Sequence, residues 1–580
     1  MKYLLRHLKP FIKYIILIFI CVMLQAIADL FLPNLMSNIV DKGIVSEDFS
    51  YILKTGGVML IITLFGGIAS ILLNYFSSKT GAGLAKNMRH EIFEKVESFS
   101  LSEFQKIGTN SLITRTTNDI NQVQMVTILF LRLAFMAPFM GIGSFILAIN
   151  KSKDMSFIIL SGVIVILVLV LTIFKIVSKK FDLLQKLIDK TNLIARENLK
   201  GVRVIRAFRK EKEQHKKFTD TAIELEDVNL FINRMGALLN PMMNLVLNIV
   251  TIIILWVGSS LVDKNLLGIG DMMAFMQYAM LIMTSFLMLS VLFILIPRAL
   301  ISLSRIKEVI DSTDTIKEPK VGKKGIKDLS GQLEFKNVSF HYPGGLDPVL
   351  KDISFKVEKG QTLAIVGSTG SGKSTLINLI LRFFDVSEGS ILVDGVNVKD
   401  YKLKTLREKI GYVPQKSILL QGTIKENIMY KSPNDFNNME KLKRATDIAQ
   451  ATSFILAKKD GFDSYVSQGG TNFSGGQRQR LSIARAIYSN PEFLIFDDSF
   501  SALDLKTDKL LRSEIKKHLT DQTKIIVTQR ISTIKDADLI VVLDNGEQVG
   551  IGNHKFLLKN CLVYQEIAKS QEKGDEPYEK

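Results

Sequence analysis

Up to about residue 305 the apolar positions of this chain run together in long blocks; beyond it they come in short runs broken by polar residues. A helix needs about 20 apolar residues to cross about 30 Å of hydrocarbon, because lipid offers no partner to an unpaired peptide group. Six stretches meet that requirement, at roughly 11–32, 52–77, 126–149, 156–178, 241–262 and 272–303. Spans three and four are joined by little more than Lys151–Asp154, while residues 78–125 and 179–240 form two long polar connections. Both are helical in pattern, so they are expected to carry the membrane helices far into water. Pro138, Pro241 and Pro297 stand where they would kink or end a helix.

After Ser304 the pattern changes. A linker with Pro319, Lys323, Lys324 and Gly325 leads to alternating runs such as QLEFKNVSF and TLAIVG, and these strands then alternate with helical stretches. The expected fold is an α-helical six-span transmembrane bundle with long cytoplasmic helical extensions over 1–310. A linker over 311–329, an α/β domain over 330–569 and a charged tail over 570–580 follow.

Charge supplies the orientation. The 580 residues carry a formal net charge of +17, and the excess gathers in the long connections, including Arg203, Arg206, Arg209, Lys210 and Lys212. Lys and Arg collect in cytoplasmic loops, so those connections and the basic N-terminus face the cytoplasm, and Asp41, Glu47 and Asp48 face outside. No recognition module accompanies the charge, so nucleic acid is not an expected partner, whereas membrane lipid is. Residues 1–13 are basic, but the apolar run after them is long enough to span and reads as the first helix instead of a signal peptide. Cys21 and Cys561 are the two cysteines, too few for a disulfide framework or a Cys-based zinc site. Asp29 and Arg132 lie within spans, where Arg132 reads either as snorkelling to the interface or as a contact for an anionic substrate.

The chemistry centres on Gly367, Ser368, Thr369, Gly370, Ser371, Gly372, Lys373 and Ser374, set between the strand TLAIV and a helical run beginning at Thr375. A Gly-rich turn between strand and helix lets backbone amides surround a β-phosphate. Lys373 would reach the β- and γ-phosphates, and Ser374 would ligate Mg2+. In FLIFD, four apolar residues form a buried strand that ends in Asp497, suited to a Mg2+ contact. Between these lies Phe473, Ser474, Gly475, Gly476 and Gln477, followed by RQRLSIARAI.

With that segment the whole chain resembles the ABC exporters of the multidrug half-transporter type, a membrane domain fused to a P-loop ATPase. The resemblance implies ATP and Mg2+ as cofactors. It implies that Tyr342 stacks on adenine, that Gln415 in GYVPQ is the Q-loop residue, a catalytic candidate that also serves the Mg2+, and that Asp504 in SALD belongs to the D-loop. It also implies that the Ser474 segment faces the P-loop of a second ATPase domain, so a second half-transporter is needed.

Two positions depart from the family pattern. Asp498 stands where the family has a catalytic Glu, which shortens the carboxylate by one methylene, and Gln529 in IIVTQR stands at the family's switch histidine. Gln468 also occupies a place where many members carry Glu. With Asp498, Gln529 and Gln415 as the catalytic candidates, the chain reads as the degenerate-site half of a heterodimeric exporter of hydrophobic small molecules in the bacterial cytoplasmic membrane. A homodimeric exporter of lipids or peptides, and a membrane subunit that senses without pumping, are the alternatives. Short helices near Ser98–Ile107 and Asn198–Phe208 are expected to couple ATPase and membrane motions.

Overall fold

The computed structural model describes residues 2–264, 266–345, 347–431 and 438–572, so most of the tail set at 570–580 lies outside the described residues. The chain divides into two compact units. One comprises Met1–Glu97 with Asn110–Ser312, the other Ser98–Thr109 with Thr313–Lys580.

Among the described residues of the first unit, six helices are long and apolar enough to cross a membrane: Tyr3–Ile44, Phe49–Ser98, Thr109–Lys151, Lys153–Lys200, Glu211–Asp263 and Ile269–Ile310. The polar connections are helical, as their pattern predicts. The second helix runs unbroken to Ser98, and the fourth and fifth are separated by Gly201, the short helix Val202–Ala207 and the turn Phe208–Lys210. Pro138, Pro241 and Pro297 lie inside helices and end none of them. A helix broken in lipid would strand several peptide groups, so the chain tolerates the single bond that each proline removes. Ile18, Val22, Ile254 and Phe275 are fully buried between helices, while Leu60, Leu64, Phe65, Ile71 and Trp256 are largely exposed. That outward apolar surface suits lipid contact.

Spans one, three and six are tied at the end that the charge pattern sets outside. Ser37 Oγ donates to Asp271 Oδ1 at 2.6 Å, and Lys151 Nζ pairs with the same carboxylate and lies 3.0 Å from Ser37 Oγ. Span one closes in a π-helical turn, Ile39–Ile44, from which Asp41 Oδ1 accepts the Gly270 N–H at 2.7 Å. Gly270 is required here, because a Cβ would collide with the Ser37 carbonyl oxygen.

The second unit contains a sheet whose strands, in chain order, are β1 (Leu333–Phe340), β2 (Leu350–Val357), β3 (Thr362–Gly367), β4 (Glu388–Val393), β5 (Val396–Asn397) and β6 (Ile410–Val413). A small pair, β7 (Gly422–Thr423) and β8 (Tyr465–Val466), is followed by β9 (Phe493–Asp497), β10 (Thr523–Val527), β11 (Leu539–Asp544) and β12 (Glu547–Gly552). The large sheet has the order β5-β4-β1-β2-β12-β11-β3-β10-β9-β6. Its β11, β3, β10, β9 and β6 are mutually parallel, and the β1, β2, β4 and β5 end is antiparallel. Both faces of β3 are covered: Leu363 and Ile365 enter one core, Ala364 and Val366 the other. A strand buried on both faces reads as a continuous apolar run, which is why TLAIV and FLIF carry no alternation. The register pairs Val527 with both Ile365 and Asp497, so the C-terminal ends of β3, β10 and β9 come together. In an open α/β sheet that edge is where ligands bind.

Ser98–Thr109 packs within this second unit although it follows a membrane helix in sequence. Ser100 and Glu103 form a capping box on the helix Leu101–Ile107, and Glu103 Oε1 accepts the Thr315 N–H at 3.0 Å. Burial alone would push the Glu103 carboxyl up; hydrogen bonds from Ser100 and Thr315 hold it below its ordinary range.

Lys409 joins distant parts of the ATPase sheet, with its Nζ 2.7 Å from Asp394 Oδ2 and 2.6 Å from Glu492 Oε1. Asp394 is 1% exposed. Replacing Lys409 with Met strands that carboxylate and is expected to cost roughly 3–5 kcal/mol. Lys351→Ala, which removes the exposed pair with Glu547 at 3.0 Å, should cost under about 1 kcal/mol. Thermal melting of the full chain in detergent distinguishes the two, and equal shifts would contradict a special role for Lys409.

Candidate functional site

The phosphate-binding turn is set by two left-handed glycines. Gly370 has φ +87° and Gly372 φ +96°, a conformation that costs other residues free energy. At Gly372 a Cβ would also lie 2.6 Å from a Leu350 methyl. The helix Lys373–Ile380 begins directly after it, with its first amides and positive dipole end at the turn. The Lys373 ammonium donates to Gly367 O at 2.9 Å and Ser368 O at 2.6 Å, with Ser371 Oγ at 3.4 Å. Burial lowers its pKa, and Asp498 and Asp497 act in the opposite sense.

Asp497 ends β9 and is 7% exposed. Its carboxyl is pushed up to about 6, first by burial and then by the adjacent Asp498, with Tyr412 and Lys373 moderating the rise. Tyr412 sits on the neighbouring β6, opposite Ile495. Asp498 adopts φ +44°, and its N–H donates to Val527 O at 2.8 Å while its carbonyl accepts from Ser501 Oγ at 2.7 Å. Asp tolerates this left-handed geometry better than most residues. The Asp498 side chain then meets Gln415, whose Nε2 donates to Oδ2 at 3.4 Å. From the neighbouring strand end comes Gln529, two residues past Val527.

These groups line one open cavity of about 240 Å3: Thr369, Gly370, Gly372, Lys373, Ser374, Thr375, Gln415, Asp497, Asp498 and Gln529, with Val349, Val527 and Thr528. The three catalytic candidates and the phosphate-binding residues therefore share one space. Gly367, Ser368 and Ser371 stand behind it as partners of Lys373. Val349, Thr528 and Tyr412 are additions that the sequence analysis did not single out. Thr528 and Tyr412 lie inside the quoted motifs IIVTQR and GYVPQ, so proximity to Gln529 and Gln415 was a usable signal.

The remaining predicted residues stand apart from the cavity. Tyr342 Oη is 3.0 Å from Thr375 Oγ1, and its ring meets Phe340 and Phe384 edge-on at 5.0 and 5.2 Å. Ser474 caps the helix Gly475–Tyr488 in a reciprocal box: it accepts the Gln477 N–H at 3.2 Å, and Gln477 Oε1 accepts the Ser474 N–H at 3.0 Å. Ser474 and Gly475 are exposed with Gly476 half-buried beside them, whereas Phe473 is buried beneath Lys458. Asp504 caps the helix Leu505–His518 through the Thr507 N–H at 2.9 Å, and that bond holds its carboxyl below the ordinary range.

No group of three or more His, Cys, Asp or Glu suited to a metal occurs among the described residues. Ser374 and Asp497 instead offer a hydroxyl and one carboxylate, the sparse protein share that Mg2+ takes when phosphates and water complete its shell. The raised Asp497 carboxyl is a group that a nearby cation would ionise.

Comparison with known proteins agrees with this arrangement. The family pattern described as ABC transporter transmembrane region matches residues 15–286, and that described as ABC transporter matches residues 350–501. An uncharacterized ABC transporter ATP-binding protein of Mycobacterium tuberculosis is 36% identical over 567 residues, covering 98% of this chain and 97% of its own. The ATP-dependent lipid A-core flippase of Pseudomonas aeruginosa is 32% identical over 501 residues, covering 86% and 82%. The solved structure of a bacterial Atm1-family ABC exporter with ATP bound shares the fold, with a TM-score of 0.80 at 24% identity over 98% of this chain and 99% of that one. With its six-helix membrane region and its α/β ATPase fused in one multi-pass chain, the protein belongs to the ABC transporter family, as an exporter-type half-transporter of the cell membrane that couples ATP hydrolysis to transport.

Proposed function

We propose that this chain is the slowly hydrolysing half of a heterodimeric exporter that moves hydrophobic or amphipathic compounds across the cytoplasmic membrane. The observation that carries the reading is Asp498. It lines the same cavity as Lys373 and Ser374, held by its backbone to Val527 and by its side chain to Gln415. A carboxylate there can orient or deprotonate water beside a γ-phosphate. Its side chain is one methylene shorter than Glu, and a misplacement of about 1 Å can cost on the order of 100-fold in rate. Gln529, an amide in place of an imidazole, lines the same cavity and points the same way.

The other roles follow from position. Lys373 leaves its loop carbonyls for the β- and γ-phosphates, and the first amides of its helix hold the phosphate chain. Ser374, Asp497 and Gln415 would hold Mg2+, which would supply neutralisation of the phosphate charge. Tyr342, beside Thr375, is near enough to the phosphate-binding helix to meet the base. Ser474, Gly475 and Gly476 leave an exposed helix start free for the nucleotide of a second half-transporter, which would bring its own Glu and His. Asp504 supports that face by capping the next helix. The segment Ser98–Thr109, packed with the ATPase unit, is the candidate for coupling to transport.

A homodimeric exporter of lipids is the second reading. The intact signature lets two copies complete each other's sites, and the similarity to proteins named as lipid A-core flippases favours an amphipathic lipid.

Asp498→Glu in the full chain in lipid restores the missing reach and should raise its own ATPase rate by on the order of tenfold or more; an unchanged or lower rate would contradict the short-carboxylate account. The pH dependence of nucleotide binding tests the charge balance. With its carboxyl raised to about 6, Asp497 is ionised above that value and neutral below it. Affinity for Mg2+ with a fluorescent ATP analogue should therefore be full in neutral solution and fall as the pH drops through that region. In Asp498→Asn one of the two causes of the rise is gone, so the fall should move to lower pH. An identical profile would count against the coupling.

A further inference from the structure

The Gln529 loop is held from outside by a side chain near the C-terminus. The helix Leu562–Glu572 lies against the ATPase core through Tyr564, which is fully buried and has its hydroxyl 2.7 Å from His554 Nδ1, and through Ala568. Gln571 follows Tyr564 by seven residues, two helical turns, and so returns to the same face. Its amide spans the loop after β10. Nε2 donates to the Gln529 carbonyl at 2.5 Å, and Oε1 accepts the Ile531 N–H at 2.8 Å. A carboxamide offers one donor group and one acceptor in fixed geometry, and here both are used on the backbone on either side of Arg530. The rest of the loop is held from within. Thr528 N–H donates to Ile365 O at 3.2 Å, and Thr528 Oγ1 accepts the Arg530 N–H at 3.1 Å.

We propose that Gln571 is a positioning residue for ATP turnover: it fixes the backbone from which Gln529 reaches the phosphate end of the cavity. The proposal rests on the reading of Gln529 as a nucleotide-facing group. Without the Gln571 amide, the Gln529 carbonyl and Ile531 N–H lose these partners, and what remains holds the loop on either side of Gln529, through Thr528 before it and through the Thr533 N–H on the Arg530 carbonyl after it. Gln529 then loses its fixed place in the cavity while the Lys373 turn, on a different strand end, is untouched. The rate of cleavage should suffer and ATP binding should not.

The test is single-turnover cleavage of radiolabelled ATP by the full chain in lipid, protein in excess, together with the half-saturating ATP concentration and the melting temperature. Q571A and Q571E should each slow cleavage about threefold to tenfold, the worth of one or two hydrogen bonds. Half-saturation should stay within about twofold, since the phosphate-binding turn is intact. Q529A combined with Q571A should be no slower than Q529A alone, as expected when one residue acts through the other. Q571E keeps size and packing but sets an oxygen against the Gln529 carbonyl, so a wild-type rate in Q571E would overturn the proposal, and it carries the test should Q571A fail to fold. Additive slowing in the double variant would also overturn it. Wild-type cleavage by Q529A would remove the nucleotide-facing reading and the proposal together, whereas slow Q529A beside wild-type Q571A would sink the positioning role alone.

Discussion

Lys373 shares its cavity with two carboxylates that follow one another in sequence, and most of the site's behaviour comes from that crowding. Asp497 is forced toward its neutral form by burial and by Asp498, while burial draws Lys373 toward losing its proton. A neighbouring like charge raises the Asp497 carboxyl, and the Lys373 ammonium partly relieves it. A polyphosphate alone would add to the negative side, so the arrangement favours a nucleotide that arrives with a divalent cation. Asp498 also has an unusual backbone, held by the Val527 carbonyl and the Ser501 hydroxyl. Its left-handed φ turns the chain at the end of β9 and leaves the shortened carboxylate in contact with Gln415.

Keeping such charge in one place requires the chain to separate its environments. In the membrane half the described residues place large apolar side chains outward, and the polar contacts that tie spans one, three and six sit near helix ends, where Ser37, Lys151 and Asp271 meet. In the ATPase half, strands buried on both faces bring three strand ends to one edge, and the cavity lies there. Ser98–Thr109 crosses that division in sequence, following a membrane helix yet packing with the ATPase unit through Glu103 and Thr315.

Much of this was legible because lipid and triphosphate are demanding partners. Six apolar blocks and the Gly367–Ser374 turn have few alternative uses, and the described residues include six such helices and the turn between strand and helix. The meeting of Asp498, Gln529 and Gln415 was expected through family resemblance, and parallel register brings the three together. Other features depend on contacts across long sequence separations and leave little trace locally. Nothing near Gln571 marks a residue that holds a loop forty-two positions away, and GYVPQ gives Tyr412 no distinction until β6 lies beside β9. Of the two roles open to Pro138, Pro241 and Pro297, kinking or ending a helix, the second does not occur, because the cost of stranded peptide groups in lipid carries the helices through them. Tyr342, Ser474 and Asp504 lie outside the cavity of a single chain, which suits residues whose expected partners are a base or a second ATPase domain.

The most direct measurement is ATPase activity of this chain in lipid, alone and together with a second half-transporter, with and without replacement of that partner's catalytic Glu by Gln. The account predicts slow turnover alone, fast turnover together and loss of the fast rate in the substituted pair. Fast turnover by this chain alone would contradict it and make Asp498 a competent base.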